Sequence, residues 1–205
     1  MPFDHNDVYH PLLLRLAPAG ARRALDVGCG AGKLARRLAA RGLEVDALDP
    51  AGEVLAVASA IGSPGPGTIT YRQADAATHP LPSQHYDLIT CVASLHHMPF
   101  DTVTRLRDAL APGGVLAVLG LADPSTARDW AVSIGSIPLN LLAKATVSLA
   151  EHLGGGPDGV PTAPVSSWDM SLDDVRREAA KLLPGSRVRV VPFWRYLLTY
   201  RRVRA

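Results

Sequence analysis

Seven residues, Asp26-Val27-Gly28-Cys29-Gly30-Ala31-Gly32, carry the densest chemical signal in this chain. Three glycines at alternate positions let the backbone turn left-handed and let a ligand approach with no Cβ in the way. An apolar run over 23–27 precedes them, and 32–40 follows with Leu34, Ala35, Leu38 and Ala39 at helical spacing. Strand, glycine turn and helix make up the first crossover unit of a nucleotide-binding α/β fold, with free N–H groups at the helix start. Spacing narrows the ligand. A dinucleotide fingerprint needs a third glycine at position 33, where Lys33 stands. A phosphate-binding P-loop needs Gly-Lys-Ser/Thr at its end, whereas Lys33 is followed by Leu34. The second chemical cluster is His96-His97 in SLHHMP, just after the apolar run 86–92. A histidine at that rim can accept a proton from a substrate or orient one. Neighbouring histidines on an extended chain face opposite ways, and Asp101 alone supplies too few carboxylates, so no metal is expected.

The elements that must hold these residues alternate along the chain. A helix is expected over about 6–17, ended by Pro18-Ala19-Gly20. Strands are expected at 23–27, 43–48, 68–72, 86–92 and 115–119, with helices at 32–40, 53–60 and 100–110 between them. Ala111-Pro112-Gly113-Gly114 reads as a turn. This order implies an open parallel sheet with helices on both faces. Two helical stretches split by Pro138 and a Gly/Pro-rich loop then form an insertion or lid over about 122–169. After a helix at 173–183, strands at 187–191 and 195–203 lie too close for a crossover helix, so they must pair antiparallel. The whole reads as one domain.

D-x-G-x-G-x-G over 26–32 resembles the class I S-adenosylmethionine-dependent methyltransferases. The resemblance covers about 21–121 well, including LRDALAPGGVLAVLG at 106–120, and the last strands loosely. It implies a Rossmann-like, doubly wound, seven-stranded sheet, mostly parallel, with an antiparallel last strand inserted between the fifth and sixth. It also implies a ligand, S-adenosylmethionine, leaving as S-adenosylhomocysteine. By that likeness Gly28, Gly30 and Gly32 pack against its methionine and ribose, and Asp26 biases its ammonium end. Asp49, followed by Pro50 in DALDP, would take both ribose hydroxyls. Asp75 in YRQADAA would meet the adenine amino group, with the Ala76 N–H aimed at a ring nitrogen. Val92, ending the fourth strand, completes the cofactor set. Tyr9 either reaches the cofactor carboxylate or packs its helix onto the core. His96, with His97 beside it, would serve as base or positioning group for the acceptor. Trp130, Ile134, Ile137, Leu141 and Leu142 would wall an acceptor pocket, bury the extra helices or form a dimer face.

The expected activity is therefore methyl transfer to a small molecule by in-line displacement. A non-catalytic cofactor-binding or regulatory protein would keep the same binding residues. A nucleic-acid methyltransferase is opposed by SLHH where an N-P-P-[YF] tetrapeptide would stand, and a nicotinamide oxidoreductase by Lys33. The net charge of +2 argues against a nucleic-acid or anionic-membrane partner, so the arginines at 187, 189, 195, 201, 202 and 204 read as strand alternation. Two cysteines, Cys29 and Cys91, give neither a disulfide framework nor zinc spacing. With no signal-peptide pattern in MPFDHNDVYH and no membrane-length apolar run, a cytoplasmic monomer or homodimer is expected.

Overall fold

A computed structural model describes residues 6–63, 65–121, 126 and 170–204. The expected insertion over 122–169, with its apolar wall, lies outside the described residues except for Thr126. Seven strands form one sheet: β1 (Arg23–Val27), β2 (Glu44–Asp49), β3 (Thr68–Gln73), β4 (Tyr86–Val92), β5 (Leu110–Leu121), β6 (Arg187–Val191) and β7 (Arg195–Arg201). Their spatial order is β3-β2-β1-β4-β5-β7-β6. The first five run parallel, and β7 lies antiparallel between β5 and β6.

The helices are α1 (His10–Arg15), α2 (Lys33–Ala39), α3 (Gly52–Ile61), α4 (Thr102–Ala109) and α5 (Leu172–Leu182). Both faces of the sheet are covered, so its central strands are apolar throughout rather than alternating. Leu25, Ile89, Leu116 and Val118 point into one core with Val103, Leu106 and Val175. Ala24, Leu88, Val115 and Ala117 point into the other with Leu13, Leu34 and Leu38. Among the described residues, no helix is long and apolar enough to cross a membrane.

Three local features differ from the sequence expectation. The amino-terminal helix is a 3₁₀ turn at Asp7–Tyr9 leading into the six-residue α1, whose start carries Pro11 where a missing N–H costs nothing. The expected turn at 111–114 is a bulge inside β5: Leu110 pairs Tyr86, while Val115 already pairs Leu88. A Cβ at Gly114 would stand 2.8 Å from the Tyr86 carbonyl, so glycine is what lets the extra residues loop out without breaking the strand. A 3₁₀ turn over Leu95–His97 follows β4, too short to leave a periodic signal.

The parallel strands bring Val27, Asp49, Gln73 and Val92 to one sheet edge. Because Leu121 pairs Arg195, the β6–β7 turn rises at that same edge. The opposite edge gathers Val115, Arg201 and Arg187.

Candidate functional site

The glycine turn sits at the carboxyl edge, and its three glycines do different work. Gly28, Gly30 and Gly32 have φ of +67°, +51° and +72°, the left-handed region that other residues enter at a cost. A Cβ on Gly28 would fall 2.2 Å from the Ser94 Cβ, and one on Gly32 would fall 2.3 Å from the Tyr71 hydroxyl. Those two glycines allow close packing of protein on protein. At Gly30 a Cβ would meet nothing within 4 Å, so the bare backbone there faces open space. The Arg36 guanidinium donates to the Ala31 carbonyl at 2.8 Å and ties the turn to α2.

Asp49, half-buried at the end of β2, holds the turn from the side. Its carboxylate accepts the Gly30 N–H at 2.8 Å and the Ala51 N–H at 2.9 Å, one on each oxygen. Each oxygen keeps a further lone pair, so the group can still accept two hydroxyls. Asp26 is buried at the centre of the sheet. Its Oδ1 accepts the Thr90 hydroxyl at 2.7 Å, and its Oδ2 has no hydrogen-bond partner among the described residues. Burial pushes its pKa up to about 6, against the pull of the Thr90 hydroxyl and of the Ala35 backbone N–H and with a smaller push from Asp49. A buried acceptor left unmatched marks a place where a donor belongs.

Asp75 is exposed after β3, where its Oδ1 accepts the Ala77 N–H at 2.8 Å. Ala76 beside it is buried, and Pro50 is exposed next to Asp49. Val92 is half-buried at the end of β4. Beyond it, Ala93 sits at φ +50° and donates to the Leu119 carbonyl at 2.7 Å. This left-handed alanine turns the chain so that the Ser94 hydroxyl reaches the Val27 carbonyl at 2.7 Å.

His96 and His97 follow on the 3₁₀ turn, with ring centroids 4.0 Å apart. His96 is half-buried and His97 exposed. Burial, then the neighbouring His97 and Arg195, pulls the His96 pKa down to about 4, so its imidazole is neutral at pH 7. Burial pushes the Cys29 thiol well above its ordinary value, which keeps it protonated and unreactive.

The amino-terminal segment straps this edge. Asp7 pairs with Lys33 at 3.0 Å, at the first residue of α2. Lys33, which occupies the third-glycine position of a dinucleotide loop, therefore anchors the strap. Tyr9 is buried, and its hydroxyl donates to the Pro192 carbonyl in the β6–β7 turn. Burial pushes its pKa up to about 12. Arg195, opening β7, donates to the Asn6 side chain at 3.3 Å.

Sequence reasoning missed Thr90, Ser94, Tyr71 and Arg36. Thr90 could have been suspected, since a polar residue inside YDLITCV must face a polar partner. Ser94 and Tyr71 left no such trace, because each fills the gap over a glycine of the distant β1–α2 turn. Among the described residues, no group of three or more His, Cys, Asp or Glu could hold a metal ion.

Comparison with known proteins places this geometry. Residues 24–114 match the model of a family described as a methyltransferase domain. An uncharacterized methyltransferase of Mycobacterium bovis is 34% identical over 98% of this chain and 97% of its own length. A ubiquinone biosynthesis O-methyltransferase of Marinobacter nauticus is 35% identical over 64% of this chain and 57% of its own. Among solved structures, magnesium protoporphyrin IX methyltransferase from Synechocystis PCC 6803, with S-adenosylmethionine bound, superposes with a TM-score of 0.60. It is 16% identical and aligns over 97% of this chain and 79% of its own, a likeness of fold.

Proposed function

We propose that this chain, which belongs to the class I S-adenosylmethionine-dependent methyltransferases and uses S-adenosylmethionine as methyl donor, methylates a small-molecule acceptor beside His96. The residues present suit that donor: Asp26 Oδ2 lacks a donor, and the space over Gly30 is open. When bound, the donor supplies a methyl group already activated on a positively charged sulfur.

The chain's own residues then supply position. Asp49 grips the ribose with its remaining lone pairs while its N–H bonds to Gly30 and Ala51 keep it from swinging. Asp26 draws in the amino end, directly or through water. Gly28, Gly30 and Gly32 hold the turn open, Asp75 and Ala76 border the adenine, and Pro50 and Val92 complete the walls. Fixing two reactants in near-attack geometry lowers a barrier by about 7–11 kcal/mol at best. With the methyl group supplied by the bound donor, His96 would take the proton that the acceptor loses on methylation. The His96 imidazole is unprotonated at pH 7, and although its lowered pKa makes it a weak base, the acceptor's proton becomes strongly acidic as the acceptor atom bonds to carbon. His97, exposed beside it, orients the acceptor.

The single observation that carries this reading is the placement of half-buried His96, on the turn that follows β4, at the same sheet edge as Asp49. The O-methyltransferase relative supports an oxygen acceptor. Arg202 spends its guanidinium on the carbonyls of Arg107, Asp108 and Leu110, so a nucleic-acid substrate is disfavoured. We place the protein in the cytoplasm. The test is a screen of phenolic and carboxylic metabolites for a mass gain of one methylene, repeated with His96→Ala. Turnover should fall about 100-fold or more, while calorimetric affinity for S-adenosylhomocysteine holds. Unchanged turnover removes His96 from the mechanism.

A further inference from the structure

At the edge of the sheet opposite the glycine turn, we infer a second binding site, for a small molecule carrying clustered phosphoryl groups, of which a diphosphate is the simplest. A groove of about 540 Å³ opens there. That is the size of a small-molecule site. Arg15, Arg187, Arg201 and Arg204 line it, with Thr199 and Tyr200, and among the described residues no Asp or Glu does.

Three observations distinguish these arginines from ordinary surface charge. First, none of the four has an ion-pair partner among the described residues; Arg36, Arg41 and Arg105 lack one too, but each of those donates to a backbone carbonyl, as Arg201 does among the four. With a net charge of only +2, the protein has gathered uncompensated positive charge in one concavity. Second, they come from separate elements. Arg15 ends α1, Arg187 opens β6, Arg201 ends β7 and Arg204 follows it. Basic residues on an edge strand guard against sheet-to-sheet pairing, which accounts for Arg187. It does not account for Arg201, on an inner strand, or for Arg15, on a helix.

Third, part of the cluster is held in place. The Arg201 guanidinium donates to the Gly113 carbonyl at 3.0 Å. Arg204 lies against the same glycine, where a Cβ would stand 2.8 Å from its Nε. Arg187 pairs with Thr199, so Arg187 and Arg201 are diagonal neighbours on one sheet face, about 7–8 Å apart at the backbone. Planar guanidinium groups take phosphoryl oxygens two at a time, and two guanidinium groups on one sheet face favour a ligand with two phosphoryl groups over one. The concave shape, the limited volume and the modest total charge favour a small anion over a polymer.

The test is calorimetry on the full chain, with S-adenosylhomocysteine saturating so that the carboxyl edge is filled. Inorganic pyrophosphate and orthophosphate are titrated at constant ionic strength. Pyrophosphate should bind one to one, at least tenfold tighter than orthophosphate. Arg187→Glu, at an exposed position with no recorded side-chain partner, should weaken pyrophosphate at least tenfold and change S-adenosylhomocysteine affinity less than twofold. Arg15→Glu should act in the same direction. ADP binding with the same sensitivity to Arg187→Glu would also support the site and identify a nucleotide as its source. Equal binding of pyrophosphate and sulfate, or indifference to both charge reversals, overturns the site. So does an oligonucleotide that binds more tightly with length while pyrophosphate does not bind.

Discussion

The glycine turn and the sheet edge around His96 are held together over very different distances along the chain. Asp49 reaches Gly30, 19 residues away, and Ala51, two away. These are bonds within one β–α–β unit. Around His96, Tyr9 meets Pro192 and Asn6 meets Arg195, spans of 183 and 189 residues, and Arg195 in turn acts on His96. The first arrangement is recoverable from a motif, because strand, turn and helix follow directly on one another. The second forms only when both ends of the described chain meet over the sheet. Binding of the donor and choice of the acceptor are thus separable, and substitutions should affect one without the other.

The largest effect should come from the turn itself. Gly28→Ala adds a left-handed penalty of about 1–2 kcal/mol and a clash with Ser94 costing about 1–3 kcal/mol. For a chain of this length, a loss of that total lowers the Tm by about 10 °C in a calorimetric scan. Adding Ser94→Gly should recover part of it. Gly30→Ala meets no atom, so it should cost only about 1–2 kcal/mol in stability while weakening S-adenosylhomocysteine. Equal Tm losses for the two would show that the turn is not packed as described.

Asp49→Ala comes next. It removes an acceptor from two backbone N–H groups and from the ribose, and charged hydrogen bonds contribute about 1.5–3 kcal/mol each. Affinity for S-adenosylhomocysteine should drop about 30-fold or more by titration, and acceptor selectivity should stay unchanged. A shift in selectivity would couple the two ends.

A smaller effect is set by pH. Free Asp26 holds its proton up to about pH 6, while in the unfolded chain it ionises near 3.8. Its burial therefore subtracts stability as pH rises through that window. An ammonium group docking on Asp26 favours the charged carboxylate and lowers its pKa in the complex. Affinity should accordingly rise as pH climbs from 5 towards 7, by up to about tenfold, and level off above. Asp26→Asn should flatten that slope. His96, already neutral above about pH 4, contributes none of it.

The smallest effect probes the sheet edge around His96. Phe193 and Trp194 occupy left-handed angles of +62° and +54° in the β6–β7 turn. Phe193 is buried, whereas Trp194 is exposed. Trp194→Gly should relieve strain and raise the Tm by one or two degrees, a net gain of under about 1 kcal/mol. A marked fall instead would mean that the indole is packed.

Much of the sheet was legible because its strands obey local rules. Arg23–Val27 and Tyr86–Val92 stand where their apolar runs place them, and Asp49 ends β2 as DALDP suggests. The antiparallel pairing of β6 and β7 followed from a gap too short for a crossover. The 3₁₀ turn at Leu95–His97 and the bulge at 111–114 were not legible, since three or four residues carry no period and their geometry answers to neighbouring strands. Nor could spacing reveal that Lys33 pairs with Asp7, or that Tyr71 and Ser94 fill the gaps over Gly32 and Gly28.

By itself the sequence determined the order of elements, the sheet edge that carries the chemistry and the acids at the strand ends. Those depend on periodicity and on which residues tolerate a left-handed turn. Tertiary structure alone decided how the acids behave. Asp26 is raised to about 6 and His96 lowered to about 4 because other strands remove their water. Desolvation is a property of what surrounds a group, and no stretch of sequence contains its own surroundings.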